Sequence, residues 1–591
     1  MDRTSRTGVF ICLLLLLILA FSPTSKKPAP ATTTAASTPG QTTSASKVTP
    51  AANEQLTMQQ APSLPAPVNR APVEEKLNWL ENDDIKATLT TDGAAIKEIE
   101  LKKHNDNGGK IRLNQQAHSN VLQLEGWPGL DTASFQVTES TPQGVTYQTD
   151  LPNGLKWQRS YTVGQDYVIT VKDSLTNPGT ADLTLPAYSL SVGRAEPLWV
   201  NGHYILSSNQ FLGSGWFTSK FRIMTLPSFN PGGFLFFTST PGKDRISSTS
   251  IDDSPVKWLG VENQFFAVLL TPGGNHTIQH AEFQCFNPRD ASGSISQQRD
   301  DDGYLIPQDV PDIEAAAYFP EVKVPAGQTV AFDYTVYAGP KDYNRLNDLG
   351  EQQGEIMNYG MFSLLIGPML SVLHFFYTHV GNYGVAIILL TLMIKLVTWP
   401  LQSFANRSGK RMQALAPKLK ELQAKFKDQP EKLQTETFGM YREYGVNPFG
   451  GCLPAFIQMP VFFSLYFMLQ NAVELRGQSF LWVHDLTQPD TIFSWALPFA
   501  LPFHITHLAI NPLPLMVTGL TMVMMRMTPQ IGDPQQAKIM QWMPLMFLFI
   551  FYNFAAGLSL YYVINNCVSI IQIYRNLRKP LPELVRKPRK K

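Results

Sequence analysis

The chain has 591 residues, of which 48 are Lys or Arg and 47 are Asp or Glu, so its formal net charge is +1. This length allows about three or four domains, and the near-zero charge excludes a protein that is basic throughout and binds nucleic acid with its whole surface. The four cysteines are scattered and show no paired spacing, which excludes a disulfide scaffold and a zinc module.

The N-terminal segment, residues 1–22, is predicted to be a signal-anchor span. An apolar run from Val9 to Phe21 follows two arginines, which is typical either of a cleaved signal peptide or of an uncleaved anchor. Both alternatives export the part of the chain that follows. Residues 23–74 are rich in Pro, Ala, Thr and Ser and lack apolar periodicity, so they are predicted to be a disordered tether.

Residues 75–345 are predicted to form one large antiparallel β-sandwich. Between residues 330 and 336, Val, Phe, Tyr and Val alternate with Ala, Asp and Thr, which is the period of a half-buried strand. Turn-forming pairs such as Asn153-Gly154 recur along this region. We find no GxSxG, HExxH or P-loop motif in the sequence, so we expect neither an enzyme nor a bound metal or cofactor.

From residue 346 the pattern becomes helical and apolar. Residues 346–380 are predicted to be a linker and an interfacial amphipathic helix, because polar residues and a proline interrupt the apolar run. Residues 381–578 are expected to form a polytopic helical membrane core, which gives about six spans when the N-terminal segment is included. The candidate spans of the core are Val385–Leu401, Pro448–Leu469, Pro512–Met527, Gln536–Phe554 and Gly557–Tyr574.

The distribution of positive charge between these spans predicts their orientation. Residues 402–445 contain nine Lys or Arg and residues 575–591 contain eight, whereas residues 472–511 contain one. Positively charged loops remain in the cytoplasm. The sequence therefore predicts that both termini are cytoplasmic and that the large domain lies on the opposite side of the membrane, outside the cytoplasm.

Residues 402–445 are predicted to form an antiparallel helical hairpin in the cytoplasm. Apolar residues recur there at helical spacing and a break at Asp428-Gln-Pro separates two arms. The hairpin is either a solvated connector or a device that docks a partner. The docking candidates are Met412, Leu415, Leu419, Leu422 and Phe426.

Lys395 is the strongest candidate for a functional residue. An ammonium inside a span costs free energy unless water or a partner solvates it, although a lysine this close to Pro400 could instead reach the membrane surface. None of the five core spans contains Asp or Glu in its apolar body, so no carboxylate is available to pair with Lys395 or to carry a coupling ion. A single cation among uncharged polar residues suits a wet groove that receives polar or acidic peptide. The groove candidates are Thr391, Lys395, Gln458, Asn565 and Asn566.

Four strings in the membrane region are distinctive. They are Val446-Asn-Pro-Phe-Gly-Gly-Cys-Leu-Pro-Ala-Phe-Ile-Gln-Met-Pro, Val473-Glu-Leu-Arg, Phe480-Leu-Trp-Val-His-Asp-Leu and Leu558-Ser-Leu-Tyr-Tyr-Val. They closely resemble the YidC family of membrane protein insertases, over about residues 355 to 578. The anchor, tether and large domain resemble the Gram-negative form, whose periplasmic domain is a β-supersandwich.

The resemblance implies a protein that inserts, folds and helps assemble integral membrane proteins, alone or with the Sec translocon, through a positively charged hydrophilic groove. Its implied partners are nascent membrane proteins, the Sec translocon, the ribosome and membrane lipids, with no small-molecule substrate. Lys395 occupies the position of the family's groove arginine, which is a departure because lysine lacks the bidentate guanidinium. Tyr561 and Tyr562 match an aromatic pair that faces the path of the substrate.

Two further segments carry expectations of their own. Residues 491–511 form an apolar, Pro-rich stretch that looks like an insertion in the outer loop. The basic tail, residues 579–591, is expected to contact the ribosome or anionic lipid. Its candidate residues are Arg586, Lys587, Arg589, Lys590 and Lys591.

Two alternative functions remain open from the residues alone. The first is a membrane-tethered periplasmic protein that binds carbohydrate, although a single span would be enough to anchor it. The second is a secondary transporter, which the missing intramembrane carboxylates disfavour.

Overall fold

The computed structural model describes residues 75–583 with internal gaps. The gaps are residues 107–108, 116–118, 131–132, 198, 201–202, 205–210, 230–244, 252–253, 275, 287–311, 427–428, 447–452, 502–504, 528–541, 543, 547, 549–550, 553 and 579. The predicted anchor and tether, residues 1–74, and the tail from residue 584 lie outside the described residues.

The strands of the β domain lie between residues 77 and 340. Their bounds are β1 (Leu77–Glu81), β2 (Ile85–Thr90), β3 (Ala95–Asp106), β4 (Gly109–Leu113), β5 (Leu124–Glu125), β6 (Gln136–Thr141), β7 (Gly144–Asp150), β8 (Lys156–Val163), β9 (Val168–Thr176), β10 (Leu183–Leu185), β11 (Tyr188–Ala195), β12 (Trp199–Val200), β13 (His203–Tyr204), β14 (Gly213–Phe217), β15 (Phe221–Thr225), β16 (Arg245–Ser247), β17 (Trp258–Glu262), β18 (Phe266–Pro272), β19 (His280–Phe286), β20 (Asp312–Phe319), β21 (Val322–Val324) and β22 (Thr329–Pro340).

These strands form a layered antiparallel structure. The largest sheet has the order β15-β14-β17-β18-β22-β9-β8-β7-β6, and a second has the order β16-β19-β20-β11-β5. The two sheets pack on each other, since β11 contacts β17 and β18 while β17 contacts β20. A smaller sheet, β1-β2-β3-β4, and the pairs β10-β21 and β12-β13 complete the domain. The antiparallel β-sandwich that the sequence predicts is therefore confirmed.

Alternation along the strands explains the core between these sheets. Burial in β8 and β9 follows the two-residue period of a strand with one face inward. The side chains of Trp157, Trp216 and Trp258 are fully buried. Large aromatic side chains bury the most apolar area per residue, so these three indoles are major contributors to the core.

A buried ion pair lies inside the sandwich. Arg159 on β8 and Asp173 on β9 are directly opposite each other and are 0% and 1% exposed. The Nε and Nη2 atoms of Arg159 donate to the two carboxylate oxygens of Asp173, each at 2.7 Å. Its Nη1 donates to the carbonyl oxygen of Leu122 at 2.7 Å. The guanidinium therefore joins the large sheet to a segment of chain outside it.

The helices begin within the β domain and dominate after residue 342. Their bounds are α1 (Leu226–Phe229), α2 (Tyr343–Asp348), α3 (Ser363–Val380), α4 (Tyr383–Lys425), α5 (Pro430–Glu443), α6 (Leu453–Asn471), α7 (Pro512–Met527) and α8 (Ala556–Leu577). Between α6 and α7, strands β23 (Phe493–Leu501) and β24 (Ile505–Ile510) form a separate antiparallel hairpin. Residues 491–511, which the sequence suggests are a Pro-rich insertion in the outer loop, therefore contain two paired strands.

Three described helical segments are long and apolar enough to cross a membrane. They are Gly360–Val380, Tyr383–Pro400 and Ala556–Leu577, and the apolar helix α7 is shorter. The second segment opens α4, which continues without a break to Lys425. The predicted span Gln536–Phe554 lies largely outside the described residues.

The β domain contacts the chain at the end of α6. The side-chain amide of Gln264 donates to the carbonyl oxygen of Gln470 at 2.7 Å. Shortly after α6, the guanidinium of Arg476 lies 5.9 Å from the ring centre of Phe265 and 5.7 Å from that of Phe266. An amide hydrogen bond and a cation–π contact therefore attach the domain to the membrane core.

We expect Asp173→Asn to destabilise the β domain by about 3–5 kcal/mol, because it leaves the Arg159 guanidinium buried without its counter-ion. Pulse proteolysis of the full chain in urea measures this change as a lower midpoint for cleavage within residues 75–340. The matched control is Glu321→Gln, which breaks the exposed pair with Lys323 and should cost less than about 1 kcal/mol. Equal midpoints for the two variants would contradict a structural role for the buried pair.

Candidate functional site

Lys395 lies inside the helical core and contacts α8. It is 9% exposed, and its Nζ donates to the Oγ of Ser569 at 2.8 Å. The Ser569 hydroxyl in turn donates to the carbonyl oxygen of Asn565 at 2.8 Å. The ammonium therefore interacts with a neutral hydroxyl of a neighbouring helix, which is a polar partner but not a counter-ion.

One face of α8 carries a line of polar side chains. Tyr561, Asn565 and Ser569 follow each other at intervals of four residues, which places them on the same side of the helix. Eight residues at 1.5 Å per residue give this line a length of about 12 Å. At one end Ser569 meets Lys395 of α4, and at the other the Tyr561 hydroxyl accepts a hydrogen bond from Gln458 of α6 at 2.7 Å.

Asn566 extends this polar region to α7. It is 4% exposed, and its Nδ2 donates to the Oγ1 of Thr521 at 3.0 Å. The Thr521 hydroxyl itself donates to the carbonyl oxygen of Val517 at 2.7 Å. We name these residues of α4, α6, α7 and α8 the polar seam. The polar seam consists of Lys395, Gln458, Thr521, Tyr561, Asn565, Asn566 and Ser569.

Thr391, another groove candidate, has a different environment. Its hydroxyl donates to the carbonyl oxygen of Ile387 at 2.7 Å, within its own helix, and the residue is 1% exposed. Near this point α8 approaches α4 closely at Gly557. A Cβ on Gly557 would lie 3.3 Å from the Ile387 side chain and 3.2 Å from the carbonyl oxygen of Leu486. Glycine therefore permits the close approach of the two helices.

The two tyrosines of the predicted substrate path differ in exposure. Tyr561 is 1% exposed, whereas Tyr562 is half-buried. Their rings meet edge to face with centres 5.3 Å apart. Tyr562 also packs against Phe462 of α6 and against Phe551, with ring centres 5.5 and 4.6 Å away. In this conformation Tyr562 is the more accessible tyrosine of the pair. Contact of either tyrosine with a substrate segment stays a prediction.

The hairpin predicted to be cytoplasmic is formed by the end of α4 and by α5. Lys418 of α4 donates to the Tyr444 hydroxyl at 2.6 Å, and its Nζ lies 4.4 Å from the centre of that ring. Among the docking candidates, Leu415 and Leu419 are 0% and 9% exposed. The remaining candidates, which are half-buried, are Met412, Leu422 and Phe426. A docking partner would therefore meet this second group first, together with Phe438, which is 54% exposed.

Two residues of the polar seam were missed by the sequence analysis. Ser569 follows Asn565 by four residues, so its position on the same face could be derived from helical periodicity. Thr521 offers no such signal, because its role depends on the packing of α7 against α8. The tail candidates from Arg586 to Lys591 lie outside the described residues.

Comparison with protein families covers both parts of the chain. The model of the YidC periplasmic domain matches residues 79–372, and the model described as 60Kd inner membrane protein matches residues 375–580. A solved structure described as active YidC insertase with the first transmembrane domain resolved covers 85% of this chain and 94% of its own, with 17% identity and a TM-score of 0.32.

Curated relatives match the chain over most of its length. The protein named membrane protein insertase YidC from Pelodictyon phaeoclathratiforme is 31% identical over 601 residues, which cover 97% of this chain and 94% of the relative. The protein of the same name from Chlorobaculum tepidum is 32% identical and covers 84% of this chain and 81% of its own. Taken with the two family models, this similarity shows that the chain belongs to the YidC family of membrane protein insertases.

Proposed function

We propose that this chain inserts integral membrane proteins into the bacterial inner membrane and helps them fold and assemble. The observation that carries the proposal is the ammonium of Lys395, which is 9% exposed and bound by the neutral Ser569. The core spans lack Asp and Glu, so its charge is not neutralised within the predicted membrane region. Family membership supports the same function, since the relatives are named membrane protein insertase.

The polar seam supplies the chemistry for the polar part of a client protein. A carboxylate that approaches Lys395 gains Coulomb attraction of about 4 kcal/mol at 4 Å and an effective dielectric constant of 20. The side-chain amides of Gln458 and Asn565 can exchange hydrogen bonds with the client backbone. The apolar part of the client then enters lipid, where burial of about 20 apolar residues provides the driving force without nucleotide hydrolysis.

We infer that the β domain is periplasmic and that the hairpin and both termini are cytoplasmic. The segment Gly360–Val380 is long enough to span, but a span there would put the nine basic residues of 402–445 on the same side as the β domain. The positive-inside rule disfavours that arrangement. An interfacial position for α3 agrees with the high exposure of Met361 and Leu364, which are 87% and 82% exposed.

The partners we propose are client membrane proteins, the Sec translocon, the ribosome and anionic lipid. The hairpin and the tail carry the positive charge that ribosomal RNA and anionic headgroups both attract. Docking of a partner on the hairpin would use its half-buried apolar residues and Phe438.

We expect Lys395→Arg to retain most activity, because the charge is preserved. Lys395→Ala and Lys395→Glu should lower the insertion of clients with acidic translocated segments by about tenfold or more, since each 1.4 kcal/mol lost is a factor of ten. Complementation of a depletion strain and protease protection of the client measure this effect. Lys323→Glu, at an exposed position on the β domain, is the control for charge reversal alone. Full activity of the Ala and Glu variants at residue 395 would refute the proposed role of the ammonium.

Ser569→Asp should imitate the loss of Lys395. A carboxylate at this position would pair with the ammonium from within the protein and compete with acidic residues of the client. We expect reduced insertion of acidic clients and near-normal insertion of clients with uncharged translocated segments, measured in the same protease-protection assay. Ser569→Ala is the matched control, because it removes one hydrogen bond and adds no charge. Equal activity of the Asp and Ala variants would argue against attraction of carboxylates by Lys395.

Deletion of residues 579–591 should weaken ribosome binding at low salt and have little effect above a few hundred millimolar salt, because phosphate contacts release counter-ions. Co-sedimentation with ribosomes in detergent, where anionic lipid is removed, measures this contact. A control variant with Glu at Lys418 and Lys420 tests the hairpin in the same assay. If the deletion leaves co-sedimentation unchanged, the tail serves only to contact lipid or to fix the topology. The hairpin would then be the ribosome contact.

A further inference from the structure

The hairpin β23–β24 is a small sheet with an unusual composition. Its strands pair with each other from Phe493 opposite Ile510 to Ala496 opposite His507, and then at Leu501 opposite Ile505. In the described part of the chain it pairs with no other strand. The sequence from Thr491 to Met525 contains no Asp, Glu, Lys or Arg. An isolated two-stranded hairpin is marginally stable in water, and an uncharged apolar edge there would promote aggregation.

Hydrogen bonds fix the base of this hairpin to the helical core. The Oδ2 atom of Asp490 accepts a hydrogen bond from the backbone N–H of Leu513, at the start of α7, at 2.6 Å. Beside it, the Oγ1 of Thr491 donates to the Oδ1 of Asn511 at 2.7 Å. The Nδ2 of Asn511 donates to the carbonyl oxygen of Tyr552 at 2.7 Å. The hairpin therefore leaves the core at a defined point, the N-terminal end of α7.

Large apolar side chains at this base are exposed. Ile492 and Phe493 are 57% and 58% exposed, and Ile510 is 39% exposed. In the neighbouring turn, Leu481 is 76% exposed and Trp482 is 39% exposed. The indole N–H of Trp482 donates to the Oδ2 atom of Asp490 at 3.3 Å. Two uncharged apolar segments therefore share the same carboxylate anchor. Contiguous exposed apolar residues of this kind mark an interaction surface.

The length of α7 indicates which partner covers this surface. Its uncharged part runs from Pro512 to Met525, since Arg526 follows. These 14 residues extend about 21 Å at 1.5 Å per residue, whereas the hydrocarbon core of a bilayer is about 30 Å thick. The uncharged part of α7 is therefore about 9 Å shorter than the hydrocarbon core. The missing length falls at the N-terminal end of α7, where the hairpin begins.

We propose that the hairpin β23–β24 binds membrane lipid, lying in the boundary between headgroups and acyl chains and extending the apolar surface of α7. Its uncharged composition matches acyl chains, its base continues directly into a membrane helix, and the apolar residues Ile492, Phe493 and Ile510 next to that helix are exposed. Its assignment to the outer leaflet rests on the proposed topology, whereas lipid contact does not. The hairpin acts as an interfacial anchor that keeps the short helix in register with the bilayer.

Site-directed fluorescence quenching in lipid vesicles tests this proposal. The full chain, with its four cysteines replaced by serine, carries a single bimane-labelled cysteine from Phe493→Cys or Ile510→Cys. It is reconstituted in vesicles of phosphatidylethanolamine and phosphatidylglycerol, with or without phospholipid brominated near the top of its acyl chains. Both native residues are exposed, so their replacement leaves the packing of the core intact. We expect brominated lipid to lower the fluorescence of both labels to about half, as for an interfacial residue.

Two exposed apolar residues of the same chain are the controls. Ile251→Cys lies on the β domain at 42% exposure and should not be quenched, whereas Leu396→Cys lies on α4 at 72% exposure and should report contact with lipid. If the labels at 493 and 510 are quenched no more than the label at 251 while the label at 396 is quenched, the proposal is wrong. Slow reaction of those two cysteines with an aqueous thiol reagent would then identify protein as the covering partner.

Discussion

A positive charge that has no counter-ion among the described residues is the constraint around which the membrane core is arranged. An ammonium in hydrocarbon costs several kcal/mol, so Lys395 requires a polar partner, and α8 provides one in Ser569. A carboxylate at that position would bind the ammonium more strongly but would also neutralise it. The hydroxyl satisfies one of its three donors and leaves the charge available. Under the proposed function, the neutral partner would therefore allow Lys395 to be both tolerated within the core and attractive to an acidic segment.

The rest of the polar seam follows from the same requirement, because α8 connects Lys395 to the other helices. Tyr561 binds Gln458 of α6 and Asn566 binds Thr521 of α7, so three neighbouring helices are joined to α8 by side-chain hydrogen bonds. Such bonds contribute only about 0.6 kcal/mol each on average in membrane proteins. Under the proposed function, a polar segment that enters the seam would therefore replace these hydrogen bonds one at a time at low cost, while apolar packing holds the helices together.

The sequence predicts the parts of this molecule that depend on periodicity. Alternation gives the β-sandwich, and the long apolar runs give α4, α7 and α8. It also identifies Lys395, because a lone charge in a span is visible without a structure. The contact of Ser569 with Lys395 and the burial of Tyr561 could not be derived, because both depend on which face of α8 meets α4 and α6. The hairpin β23–β24 was also not predicted, since two prolines within residues 491–511 obscure its strands.

The β domain and the polar seam are linked through α6, which contacts both of them. Gln470, which contacts the domain, lies at the end of α6, and Arg476, which also contacts the domain, follows this helix. Gln458, which contacts Tyr561, lies on α6, 12 residues before Gln470. Between them the ring of Phe462 packs against Tyr562, so α6 is held on α8 without help from the domain. The natural boundary between the two parts lies beyond Pro340, because β22 is paired on both sides, with β18 and β9. A cut before β22 would remove a central strand of the sandwich. A cut directly after it would still separate the sandwich from Lys341, which pairs with the buried Glu262, and from Glu351, whose carbonyl oxygen accepts a hydrogen bond from the Trp258 indole.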